Sequence, residues 1–299
     1  MTALVAFSCD EAYFPLAKGL VLSLQNQGLE ERGLGLAFVD IGCTADSLAW
    51  LRGQGVRVIS ASDNALGGLT ASVSGYHLSQ VCRPFLPQLF PDADCFIWLD
   101  SDLWVQSSDV VKSLAIYASR ERDKLFICPE WHYAYATLNS DILKFHVNNV
   151  RHFFRMAYDE EIAATMSVKP TLNSGVFAMA SDNPLWTLWA DEVKSLYGRE
   201  YPVQGEYIRH MAEQMALNYV AHRTGAAVPV DPIFNFMCIW ALPFRDEAGI
   251  VRVPLPPYAP IGIVHLSLWK LRRNFYFQHG LLFQQGQYLT EAERRLLQS

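Results

Sequence analysis

The sequence carries no block of like charges: 24 Lys and Arg stand against 30 Asp and Glu, for a net charge of −6 and a pI of about 5.7. Without a basic stripe the chain is not a general nucleic-acid binder, and an anionic ligand would have to be neutralised by local groups or by a metal. No apolar stretch reaches the roughly 18 residues of a membrane-spanning helix. The opening segment MTALVAFSCDEAYF has no basic n-region and meets acids by Asp10, so it reads as a first strand and not as a signal peptide. Cys9, Cys43, Cys82, Cys95, Cys128 and Cys238 form no C-x-x-C pair and no zinc-like spacing with histidine. Most lie in apolar runs such as LFIC and NFMCIW, where a free thiol behaves as a small buried hydrophobe, and a reducing, cytoplasmic location is the expectation. There is no internal repeat, no low-complexity run and no clear linker.

What is present is core. Of 299 residues 51% are hydrophobic and 18% charged, enough for one large α/β domain, and a single fused domain is the expected organisation. The first hundred residues alternate. ALVAFSC reads as a strand and FPLAKGLVLSLQNQG as a helix closed by Gly28. GLGLAFVDIG is a second strand, ADSLAWLRGQG a second helix closed by glycine, and VRVIS a third strand. Such alternation predicts a mostly parallel, doubly wound sheet with ligands at the carboxyl ends of its strands, where Asp10, Asp40 and Asp100 fall. Residues 125–170 are rich in aromatics and histidine, with weak periodicity. Beyond them SGVFAMA reads as a strand, PLWTLWADEVKSLYG and EYIRHMAEQMALNYVAH as helices, and IGIVHLS as a last strand.

The segment CFIWLDSDLWV runs an apolar strand into Asp100, Ser101 and Asp102. On an extended backbone Asp100 and Asp102 point the same way and Ser101 the other. Two like charges side by side call for a cation, and carboxylates suit a hard ion such as Mg²⁺ or Mn²⁺. An acidic turn is the plainer alternative for such a triplet. Imidazole is acceptable near Mn²⁺, and His265 ends the last strand.

Several ordered segments together resemble glycosyltransferase family 8, whose members have the GT-A fold. VAFSCDEAYFPLA is similar to the family's first strand and turn, VCRPFLPQLFP to its arginine-bearing helix and IWLDSDLWV to its D-x-D strand. TLNSGVFAMA is similar to its N-[AS]-G strand, EQMALN to its D-Q-x-x-L-N helix, IFNFM to its F-N segment and VHLSLWK to its closing histidine and lysine. The resemblance implies an α/β GT-A fold over residues 1–299, a Rossmann-like, mostly parallel sheet flanked by helices. It divides into a nucleotide-binding half (1–105), a donor and acceptor half (106–270) and a basic, aromatic tail (271–299). It further implies a metal-dependent retaining hexosyltransferase that uses a UDP-sugar donor and a saccharide or lipid-linked saccharide acceptor.

On the same resemblance Asp100, Asp102 and His265 hold Mn²⁺ or Mg²⁺. Ser8, Asp10, Tyr13, Arg83, Ser101 and Lys270 bind the nucleotide and its diphosphate, Asn173, Ser174 and Glu213 the donor sugar, and Gln214 lies nearest the reacting face. This sequence departs from the family at Glu213, where Asp is usual, at Ala12, where Asn is common, and in a closing motif one residue short that lacks its Gly and Pro. A different class, a GT-A nucleotide-sugar or glycan-binding protein of little or no activity, therefore stays open. Trp131, Tyr133 and Tyr135 alternate as on a strand, so they either pack in the core or offer one face of rings to an acceptor. In the tail, Lys270, Arg272 and Arg273 precede Phe275, Tyr276 and Phe277. These residues either touch an anionic membrane surface peripherally or pack their rings and turn their cations to phosphate or water.

Overall fold

The computed structural model describes residues 2–29, 33–61, 66, 68, 69, 73, 75–135, 140–201 and 205–267. Lys270 and the tail from 271, with the membrane reading built on them, lie outside the described residues.

The first half follows the alternation. β1 (Ala3–Cys9) is buried along its whole length, as a central parallel strand must be. α1 (Phe14–Asn26) ends before Gly28, which takes φ 67°, a left-handed position that glycine alone enters without strain. β2 (Leu34–Asp40), α2 (Ala45–Gly53) and β3 (Arg57–Ser60) complete two strand–helix–strand units whose strands pair in parallel. The Thr44 hydroxyl accepts from the Ser47 N–H and caps α2. Two short helices, α3 (His77–Val81) and α4 (Leu86–Leu89), flank a 3-10 turn that carries Arg83, and lead into β4 (Cys95–Leu99). β4 alternates its side chains between the two faces: Phe96 and Trp98 join one core, and Cys95, Ile97 and Leu99 the other. Each fully buried side chain of this size contributes about 1.5–3 kcal/mol.

Next come β5 (Leu103–Val105), α5 (Ser108–Arg120) and β6 (Leu125–Pro129), then α6 (Ser140–Ala157) and α7 (Glu160–Met166) in the stretch of weak pattern. Buried His146, Val150, Phe153, Phe154 and Ala157 lie on one face of α6 at helical spacing. The chain continues through β7 (Leu172–Ala180), α8 (Leu185–Tyr197), α9 (Gly205–Thr224) and β8 (Ala227–Pro229). It closes with β9 (Phe236–Met237), β10 (Phe244–Arg245), β11 (Val251–Arg252) and β12 (Ile263–His265).

The main sheet has seven strands in the order β3-β2-β1-β4-β7-β6-β8. All neighbours are parallel except β7, which runs antiparallel to β4 and β6. That reversal matters for the site. It brings the start of β7, with Asn173, Ser174 and Gly175, beside the end of β4, and the Asp100 N–H donates to the Gly175 carbonyl at 2.8 Å. A second sheet, β5-β12-β9, leaves the main one directly after Asp102. All six cysteines are free thiols, and no helix among the described residues is long and apolar enough to cross a membrane.

Candidate active site

β4 stops at Leu99, so Asp100 and Asp102 do not share an extended strand. They sit in a turn closed by the Leu103 N–H on the Asp100 carbonyl. The turn still directs both carboxylates to one place while Ser101 points inward, its hydroxyl donating to the Ser8 carbonyl at 2.9 Å. Antiparallel pairing of β5 with β12 sets His265 opposite Leu103, and the Leu266 N–H donates to the Asp102 carbonyl. Register alone thus delivers the imidazole to the acid pair. One ligand atom each of Asp100, Asp102 and His265 lies within 4.8 Å of the others.

The hydrogen-bond network selects the imidazole nitrogen that faces the acids. Asn235 donates its amide N–H to Asn173 Oδ1 at 3.0 Å, so its own Oδ1 is left to accept from His265 Nδ1 at 2.8 Å. Nε2 then faces Asp102 Oδ1 at 3.4 Å with its lone pair available to a metal. Burial would push the His265 imidazole down, but Asp102 and Asp100 beside it outweigh burial and raise its pKa. Gly175 forms the floor. A Cβ there would lie 2.5 Å from His265 Cε1 and 2.9 Å from both Asn173 Oδ1 and Asp100 Oδ2, so the space is one that only glycine leaves open. Two carboxylates and one imidazole around such a space suit Mn²⁺ or Mg²⁺.

Behind the acid pair lies a buried cation. Arg83 donates through one terminal nitrogen to Asp100 Oδ1 at 2.7 Å, and through the other to Ser174 Oγ at 2.7 Å and Glu213 Oε2 at 2.8 Å. Its guanidinium covers the Trp98 ring, whose N–H donates to the same Asp100 oxygen. Burial opposes the Arg83 charge, but Asp100 and Glu213 prevail and raise its pKa. Glu213 has no exposed surface, and its Oε1 has no partner. The longer side chain noted in the sequence is therefore folded behind Arg83 and Ser174.

Burial pushes the Glu213 carboxyl up to about 7, against the pull of Arg83. The native state then holds this proton more tightly than the unfolded chain. Its stabilisation is complete below the ordinary value near 4.5 and is lost as pH rises through about 7. Measured against Glu213→Gln by urea unfolding without metal, the wild type is expected to lose about 2–3 kcal/mol between pH 5 and pH 8. A difference that stays flat across that interval would mean that Glu213 ionises at its ordinary value.

Glu130 was not singled out from the sequence, although it follows β6 as Asp100 follows β4. It is buried, and one of its oxygens accepts from Asn173 Nδ2 at 3.0 Å and Gln214 Nε2 at 3.2 Å. Gln214 in turn accepts from the Ser174 N–H at 3.2 Å. The carboxylate thereby fixes which way both amides face.

Two adjoining cavities meet at the acid pair. The smaller, about 170 Å³, is lined by Ser8, Asp10, Tyr13, Arg83 and Ser101, and the larger, about 400 Å³, by Asn173, Ser174, Glu213, Gln214 and His265. Asp100 and Asp102 line both. Every described residue that the resemblance assigned to the site lines one or both of these cavities. Two of them serve the fold as well: Asp10 accepts from the Tyr13 N–H, and the Ser8 hydroxyl donates to the Val39 carbonyl. The aromatic triplet is different. Residues 131–135 follow Pro129 as turns rather than strand, and Tyr135 is buried with its hydroxyl donating to the Asn235 carbonyl. None of Trp131, Tyr133 and Tyr135 lines either cavity.

No protein-family model matches the chain, and no curated protein sequence matches it. Solved structures do. The galactosyltransferase LgtC with donor and acceptor sugar analogues is 15% identical over 98% of this chain and 99% of its own, with a TM-score of 0.54. An active-site mutant of LgtC gives 16%, 98%, 99% and 0.56. Mouse xyloside xylosyltransferase 1 in its apo form is 16% identical over 89% of this chain and 97% of its own, with a TM-score of 0.54. The fold is GT-A-like. The expected architecture is met, with β7 as the strand that makes the sheet mixed. On this GT-A-like frame the candidate metal-binding cluster stands at the carboxyl end of β4, and both cavities reach its two aspartates.

Proposed function

We propose that this protein is a metal-dependent, retaining glycosyltransferase that moves a hexose from a UDP-sugar to a saccharide or lipid-linked saccharide acceptor in the cytoplasm. The observation that carries the reading is the cluster of Asp100, Asp102 and His265 at the junction of two cavities on a GT-A-like fold. The smaller cavity takes the nucleotide. The larger takes the donor sugar and the acceptor.

Asp100, Asp102 and His265 would hold a divalent ion, which would supply Lewis-acid stabilisation to the departing diphosphate. The chain's own groups do the rest. Asp100 and Glu213 keep Arg83 charged and fixed, so that a permanent cation lies against the donor. Because Glu213 has no exposed surface, it acts on the donor through Arg83 and Ser174. Gln214, held between Glu130 and the Ser174 N–H, presents an amide to the reacting face. An amide cannot take a proton as a general base, so its part is to stabilise positive charge that develops at the anomeric carbon.

A screen of UDP-hexoses is expected to show Mn²⁺-dependent UDP release from at least one donor. Gln214→Ala is expected to lower turnover about a hundredfold while UDP affinity, read by calorimetry, changes less than about twofold. Equal losses in both would make Gln214 a ground-state binding residue. Tight UDP–Mn²⁺ binding with no release from any donor would leave a nucleotide-sugar-binding protein as the better reading.

A further inference from the structure

Two of the six thiols stand together, and the transferase reading gives them no task. Cys9 ends β1, where parallel register sets it opposite Asp40, and it lines the smaller cavity. Cys43 lies in the loop that follows β2 and is partly exposed, whereas the other five cysteines are buried. Its thiol donates to the Cys9 carbonyl at 3.4 Å, and the Cys9 thiol in turn donates to the Cys43 sulfur. The loop is held in this position at both ends. Asp40 Oδ1 accepts from the Gly42 and Cys43 N–H groups at 3.0 and 2.9 Å, and Glu11 accepts from the Thr44 N–H at 2.7 Å and the Ser47 hydroxyl at 3.0 Å. The backbone itself therefore presents the two sulfurs to each other. Ile41 of the same loop lines the smaller cavity beside Cys9, Asp10 and Tyr13.

We propose that Cys9 and Cys43 are a site of reversible thiol oxidation, and that the disulfide they form weakens nucleotide binding in the smaller cavity. The second part rests on the transferase reading; the first does not. The oxidant is a low-molecular-weight disulfide such as glutathione disulfide. Burial raises the Cys9 thiol and keeps it protonated, so accessible Cys43 reacts first. Its thiolate attacks one sulfur of the oxidant, a glutathione thiolate leaves, and Cys43 carries a mixed disulfide. Cys9 then gives up its proton, and its sulfur attacks the Cys43 sulfur and expels the second glutathione. Two cysteine thiols are thereby oxidised to one disulfide, the oxidant is reduced to two glutathiones, and the two protons end on them. A disulfide holds its sulfurs about 2.0 Å apart, well inside the contact distance of two thiols. Closing it draws the loop toward the end of β1, so that the cavity wall formed by Cys9 and Ile41 shifts. In a reducing compartment such a bond is transient and acts as a sensor of oxidation.

The test treats the full chain with glutathione disulfide, blocks the remaining thiols with iodoacetamide and maps the peptides by mass spectrometry. The wild type is expected to lose two thiols and to yield one cross-linked peptide pair that carries Cys9 and Cys43, reversed by dithiothreitol. Cys9→Ala should stop at a single glutathione on Cys43. Cys43→Ser, a change at a partly exposed position, should take up none and melt as the reduced wild type does. Calorimetry of UDP with Mn²⁺ then compares the redox forms. The disulfide form is expected to bind about tenfold more weakly than the reduced form, and oxidant-treated Cys43→Ser as tightly as the reduced wild type. A wild type that keeps both thiols, stops at the mixed disulfide or links either residue to another cysteine would overturn the site. Equal UDP affinity of the two redox forms would overturn its effect on the cavity. Failure of the reduced wild type to bind UDP–Mn²⁺ would overturn the transferase reading, and the peptide map would still decide the thiol site.

Discussion

Asp102→Asn is expected to abolish Mn²⁺-supported UDP binding and to cut turnover by a hundredfold or more, while the protein melts as the wild type does. The substitution keeps the shape of the side chain and removes the negative charge of Asp102, whose Oδ1 lies 3.4 Å from His265 Nε2. Losing a preorganised group of this kind costs on the order of 3–4 kcal/mol in the transition state. A chelator should reproduce the effect on the wild type, and added Mn²⁺ should reverse the chelator but not the mutation. Asp100→Ala should behave differently. Its Oδ1 accepts from both Arg83 and the Trp98 N–H, so its removal also leaves a buried guanidinium half unpaired. Breaking such a buried pair costs about 3–5 kcal/mol, which would appear as a lower melting temperature beside the lost activity. Near-normal turnover of Asp102→Asn with Mn²⁺ would sink the metal assignment.

Gly175→Ala is the second substitution with a large expected effect. Its added methyl would stand 2.5 Å from the His265 ring, which is buried and bonded to Asn235, and 2.9 Å from Asp100 Oδ2. Neither neighbour is the loose end of a flexible chain, so either the imidazole or the start of β7 must move. Overpacking of this kind costs about 1–3 kcal/mol of stability. Displacing a ligand's support lowers metal affinity by about 10–100-fold. Urea unfolding and a Mn²⁺ titration read the two effects separately. Wild-type Mn²⁺ affinity in a folded Gly175→Ala protein would show that the ion does not bind between these three side chains.

The first half of the fold was legible because each element there carries its own signal. Apolar runs of strand length alternate with helical spacing, and glycines stand where the helices end. The acid pair was legible too, because carboxylates at the end of a buried strand are costly unless something offsets them. Residues 140–157 were harder to read: one face of α6 is core, but exposed Phe145 and buried His146 invert the usual placement of apolar and polar residues. Trp131, Tyr133 and Tyr135 misled for a related reason. Their alternation is that of a strand, yet Pro129 ends β6 and the chain turns before any of them could extend it.

Sequence periodicity records which side chains are buried, and by itself it determined the α/β class and the strand ends at which Asp10, Asp40 and Asp100 fall; the acid pair and His265 were read from side-chain chemistry and from the resemblance. It does not record which strands become neighbours. Only the tertiary structure decided that β7 would run antiparallel between β4 and β6, which lays Gly175 against Asp100 and sets Asn173 beside Glu130. The same packing chose the nitrogen that His265 offers, through an Asn235 hydrogen bond 30 residues away, and sealed Glu213 behind Arg83. Those outcomes depend on pairings distant in the chain, where hydrogen-bond geometry and exclusion of water act between segments that carry no mark of one another.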